Sequence, residues 1–122
     1  GLLGITIEGT TKFRVEDCWE ADSDLLMAKV VLSECDTLDS EPMAYGDDFA
    51  ELVEVLRGLE QHPLVAEKKF AIDYDNLWHI GWHLSELIPM SEPSRQALLE
   101  LDDPRARAES LMQLLKDLSG EE

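Results

Sequence analysis

The run from Leu84 to Met112 constrains the fold more than any other part of this chain. It reads Leu-Ser-Glu-Leu-Ile-Pro-Met-Ser-Glu-Pro-Ser-Arg-Gln-Ala-Leu-Leu-Glu-Leu-Asp-Asp-Pro-Arg-Ala-Arg-Ala-Glu-Ser-Leu-Met. Three helices follow one another here, separated by local stop and start signals. Pro89 ends the first, because the residue before a proline is pushed out of helical backbone. Ser91 can cap the second, which turns Ala97, Leu98 and Leu101 inward. Asp103 offers a carboxylate cap to the third, and Pro104 stands at its first position, where a missing N–H costs nothing. Leu111, Leu114, Leu115 and Leu118 form its stripe, and Gly120 closes it.

The helical period extends upstream. Phe49, Leu52, Val53, Leu56 and Leu59 recur at three and four, which predicts a helix over 47–61 with Asp47 or Asp48 near its free amides. His62-Pro63 stops it. A short helical turn and a loop are expected over 64–74. From Asp75 onward Leu77, Ile80, Gly81, Leu84, Leu87 and Ile88 define a further helix. Gly81 lies within that stripe, where glycine disfavours a helix by about 1 kcal/mol against Ala, so the position points to a close approach.

Before residue 46 the period is two. Residues 2–8 alternate, Lys12 to Trp19 alternate with Phe13 and Val15 on one face, and Leu25 to Ser33 alternate again. Turn-like residues separate the three, which predicts an antiparallel meander. Glu34 to Gly46 is acidic, contains Pro42 and reads as a linker. The expected class is therefore α+β, with a β lobe over 1–45 and a helical bundle of about four helices over 46–122.

At 122 residues and 44% apolar composition the chain can bury a modest core, while its net charge is −17. That excess argues against nucleic acid and anionic membranes as partners. No apolar run could cross a bilayer and no secretory signal is evident, so a soluble cytoplasmic protein is expected. Cys18 and Cys35 lack CxxC spacing and read as reduced, half-buried thiols. Gly1 stands where an initiator Met would be, which suggests a fragment or a trimmed chain.

Chemistry-bearing patterns are few. His79, His83 and Glu86 share a helical face and are weak candidate zinc ligands, which would fit a metal-dependent hydrolase. They lack the Glu that follows the first His of a zinc-protease helix, and no fourth ligand is evident. Trp78 and Trp82, four residues apart, are candidate binding residues together with Phe70, because indole buries a large area at low entropic cost. The plainer reading is that the tryptophans flank the core stripe and pack internally. Asp47-Asp48 and Asp102-Asp103 sit at helix starts, where capping accounts for them. There is no GxSxG serine and no phosphate-binding glycine loop, so no enzyme activity and no cofactor are expected.

Five segments carry a resemblance. Gly9-Thr-Thr-Lys-Phe-Arg-Val and Leu26-Met-Ala-Lys-Val-Val-Leu match strands, and Trp82-His-Leu-Ser-Glu-Leu-Ile-Pro-Met, Arg95-Gln-Ala-Leu-Leu-Glu-Leu-Asp-Asp and Ala106-Arg-Ala-Glu-Ser-Leu match closing helices. In order and spacing they resemble the N-terminal, substrate-binding domain of Lon proteases, in the stand-alone form without ATPase and protease parts. A departure is Ala106-Arg107, where the family often has Arg-Leu. The resemblance implies a PUA-like β barrel, part of it outside this sequence, followed by a helical bundle. It implies recognition of unfolded or exposed protein segments without cleavage, in a groove between the lobes or by strand addition. Exposed strand edges would also permit a homodimer. A purely structural oligomerisation domain is the remaining alternative.

Overall fold

The computed structural model describes residues 2–34 and 40–120. Two compact units divide the chain, one over Gly1–Ser40 and one over Glu41–Glu122.

The first unit holds an antiparallel pair, β1 (Phe13–Glu20) and β2 (Leu26–Leu32). Its tight connection is closed by Ala21 N–H donating to the Leu25 carbonyl (2.8 Å) and Asp24 N–H to that of Ala21 (2.9 Å). Asp24 adopts φ 63°, a left-handed conformation that Asp tolerates better than most residues. Val15 pairs with Val30 but Asp17 pairs with Lys29, so Glu16 is the extra residue of a bulge. A bulge shifts the alternation that follows it. Phe13 and Val15 share a face with Leu32 and Val30, whereas Trp19, paired with Met27, lies on the other face. Every residue of both strands is exposed, including Phe13, Trp19 and Leu26.

Residues 2–8, expected as a third strand, carry no regular structure. Alternation records a preference for an extended backbone, but a strand also needs a partner for its N–H and C=O groups. Among the described residues none pairs with this segment, and β1 is bonded to β2 alone. Cys18 is a free, exposed thiol, not a half-buried one. Cys35 lies outside the described residues.

The second unit is helical. A 3-10 turn over Asp47–Phe49 leads into α1 (Ala50–Glu60); α2 (Pro63–Ala66), α3 (Leu77–Leu87), α4 (Glu92–Glu100) and α5 (Pro104–Ser119) follow. Ser91 Oγ accepts from Ser94 N–H and Asp103 Oδ1 from Arg105 N–H, so both expected caps form. Neither Asp47 nor Asp48 makes a side-chain cap; Gly46 holds that position. Gly120 ends α5 at φ 76°. Leu52 and Leu56 of α1, Leu77, Ile80 and Leu84 of α3, and Leu111 of α5 are fully buried and form the centre of the core. Ala97 and Leu118, expected inward, are exposed.

Residues 41–46, part of the predicted linker, are tied into this unit. Buried Asn76 accepts through Oδ1 from the amides of both Met43 and Trp78, each at 3.1 Å. The Met43 carbonyl accepts from Leu77 N–H at 2.8 Å, and the Tyr45 hydroxyl donates to the Tyr74 carbonyl. One side chain thus both caps α3 and anchors the strand of chain that enters the bundle.

Candidate functional site

The face of α3 toward the 67–76 segment is built from rings. Positions 78 and 82, and 79 and 83, are each one helical turn apart and stack along the axis. Trp78 and Trp82 lie 6.0 Å apart between ring centroids, His79 and Trp82 5.3 Å, and His79 and His83 5.9 Å. The loop adds Phe70, whose ring lies 4.8 Å from that of His83. The five rings form one contiguous cluster.

Its members differ in depth. Trp78 is only 6% exposed and faces the Arg107 guanidinium at 5.9 Å. It is therefore packed inside the unit and cannot meet a partner without rearrangement. Trp82 and Phe70 are half-buried. Of the three residues singled out for binding, these two present ring surface, while the third is buried beside Trp82.

Polar contacts hold the loop on the helix. His79 Nδ1 accepts from Asp73 N–H at 3.1 Å. Lys68 Nζ lies 3.6 Å from Glu86 Oε1 and 5.8 Å from the Phe70 centroid. Burial pushes the His83 imidazole below its ordinary value, with His79 adding to the effect and Glu86 and Glu60 opposing it. His83 Nδ1 is buried and has no hydrogen-bond partner among the described residues.

The three weak metal candidates each make other contacts. His79 already uses Nδ1 for a backbone amide, Glu86 faces Lys68, and His83 packs against Phe70. Among the described residues no group of three or more His, Cys, Asp or Glu is arranged to hold a metal ion. Sharing a helical face did not bring His79, His83 and Glu86 into a ligand set.

Two further features lie outside the residues singled out as a site. A groove of about 590 Å³ lies where residues 44–47 meet α1, and its lining includes Asp47, Glu54 and Asp75 together with Val53 and Ala50. Arg107, 3% exposed, crosses Gly81 and donates from Nε to the Leu98 carbonyl (3.1 Å) and from Nη2 to the Leu101 carbonyl (2.7 Å). It thereby adds side-chain donors at the C-terminal end of α4, where the Leu98 carbonyl also accepts from Leu101 N–H at 3.3 Å.

A family model of the ATP-dependent protease La (LON) substrate-binding domain matches residues 1–117. The chain belongs to that family. The crystal structure of a Lon N-terminal domain protein from Xanthomonas campestris has the same fold, with a TM-score of 0.59 at 28% identity over 86% of this chain. The match covers 53% of that protein, so this Lon-family chain spans about half its length. No curated protein matches it. The α+β order of a two-stranded antiparallel sheet followed by helices is thus a Lon N-terminal domain arrangement. Among the described residues, no helix of this Lon-family chain is long and apolar enough to cross a membrane.

Proposed function

We propose that this chain recognises exposed apolar segments of other proteins and holds them without cutting them. The ring surface of α3 carries the proposal. Trp82 and Phe70 present half-buried aromatic area at the edge of a packed core, where buried Trp78 lies beside Trp82 and His83 beside Phe70. Preorganised aromatic area of this kind is what an apolar peptide can bury at low entropic cost. Membership of the Lon substrate-binding family supports a recognition role.

The hairpin supplies a second mode. Both faces of β1 and β2 are exposed, and apolar side chains line each. An extended client strand, or a strand of a second copy, can add to such an edge through main-chain hydrogen bonds.

Capture of a chemically unfolded model protein, against its folded form, tests the proposal. Wild type is expected to retain the unfolded form selectively. Phe70→Ala/Trp82→Ala should lose that capture while keeping the helical circular dichroism of wild type. Equal capture by the folded double variant would remove the α3 surface from the account and leave the hairpin as the binding element.

A further inference from the structure

The groove between residues 44–47 and α1 offers side-chain chemistry of one kind. Asp47, Glu54 and Asp75 line it, and among the described residues its lining includes no Lys or Arg. Tyr45 also lines it, but its hydroxyl is already given to the Tyr74 carbonyl. Ala50 and Val53 add apolar surface beside the carboxylates. Such a lining suits a guest with an apolar stem and a cationic head, which is the build of Lys and Arg. A bare metal ion does not fit, because among the described residues no group of three or more His, Cys, Asp or Glu is arranged to hold one.

The groove also shares a segment with the proposed client surface. Phe70 and Asp75 stand five residues apart in the run that leads into α3, so at most about 18 Å separates their backbones. An extended client covers that distance in about five residues. Asn76, next to Asp75, accepts from the N–H of Trp78, whose ring adjoins that of Trp82. We propose that the groove receives a Lys or Arg side chain of the bound segment, so that the clients are apolar stretches with a basic residue within about five positions. This rests on the reading of Trp82 and Phe70 as client-binding residues.

The charge balance favours that guest. The chain holds 27 Asp and Glu against 10 Lys and Arg, a net charge of −17, so basic segments are attracted from a distance and acidic ones repelled. Two cations beside the path are already engaged: Arg57 of α1 lies over the Tyr74 ring at 4.0 Å, and Lys68 Nζ faces Glu86 Oε1 at 3.6 Å. Lys69 is exposed and opposes the attraction, but Glu67, Asp73 and Asp75 of the same segment outnumber it. The groove carboxylates are themselves exposed, so salt screens their pull on a client.

Two labelled synthetic peptides, followed by fluorescence anisotropy on the intact chain, test this. Both carry the same stretch of aromatic and aliphatic residues. One has Lys about four residues beyond it, and the other has norleucine there, which keeps the stem and lacks the charge. At low salt wild type is expected to bind the Lys peptide about fivefold more tightly, and the difference should vanish at about 1 M salt. Glu54→Gln/Asp75→Asn should bind the two peptides alike. Glu100→Gln/Glu109→Gln removes the same charge from α4 and α5 and should keep the preference. Equal binding of both peptides by wild type overturns the groove assignment and leaves the α3 surface standing. A preference that survives Glu54→Gln/Asp75→Asn, or is lost in the α4–α5 variant, overturns it as well. Binding of neither peptide by folded wild type overturns the α3 reading itself, and the groove assignment with it.

Discussion

A Cβ added at Gly81 would stand 3.1 Å from Cδ of Arg107. The two residues belong to α3 and α5, and the glycine leaves room for the arginine stem to lie flat across α3. From there the guanidinium reaches the end of α4, so one contact ties three helices. Here the methylene stem fills the space and the guanidinium serves the carbonyls of Leu98 and Leu101.

Gly81→Ala is expected to destabilise the fold despite the better helix propensity of alanine. Propensity favours Ala by about 1 kcal/mol, while overpacking and displaced hydrogen bonds cost about 1–3 kcal/mol. Arg107→Met alone should cost about 2 kcal/mol, because the carbonyls of Leu98 and Leu101 each lose the charged donor, although Leu98 keeps its bond from Leu101 N–H. In urea denaturation the two changes together should cost less than the sum of the separate costs, since Met removes both the crowding and the bonds at stake. Strict additivity would contradict the coupling.

Asn76→Ala should cost about 2 kcal/mol, at the upper end for a cap, because one oxygen serves both Trp78 N–H and Met43 N–H. Amide exchange should rise at Met43 and Leu77 as well as in the first turn of α3. A change confined to α3 would mean that the 41–46 segment is held by other contacts.

Trp78→Ala and Trp82→Ala should separate stability from binding. The buried Trp78 is expected to cost about 3 kcal/mol when truncated, and the half-buried Trp82 about 1 kcal/mol or less. Thermal melts of the two variants check the order. A larger loss for Trp82 would reverse their assignment as surface and support.

Stability should fall as pH drops below the ordinary imidazole range. His83 is held neutral in the folded chain, so its pKa lies below the unfolded value of 6.5. Above that value both states are neutral and this group contributes no pH dependence. Below it the unfolded chain takes up the proton first, and stability declines until the pH passes the folded value. Urea midpoints at about pH 7.5 and about pH 5.5 should show the decline, and His83→Leu should reduce it. An unchanged decline in that variant would place its origin elsewhere.

The legible parts of the fold are those whose causes are local. Ser91 and Asp103 cap the helices they precede because each bond spans two or three residues. Residues 2–8 show the limit: alternation states a preference, while pairing depends on a partner strand. The bulge at Glu16 likewise moved Trp19 away from the face of Phe13 and Val15 without any mark in the local pattern. Asn76 was passed over in favour of Asp75 as the start of α3, since its second hydrogen bond comes from Met43, 33 residues away. The ring surface was visible in part, because the four-residue spacings of Trp78/Trp82 and His79/His83 name it. That Trp78 lies inside depends on Arg107, a charged residue that no hydrophobic period would place in the core.

The central claim is that Phe70 and Trp82 meet client segments. Titrating the 15N-labelled chain with an unlabelled disordered model protein tests it most directly. The account predicts that the Trp82 indole N–H and the amides around Phe70, His79 and His83 shift together and saturate, and that Trp82→Ala abolishes the effect. Shifts confined to β1 and β2, or none at all from a folded wild-type chain, would contradict it.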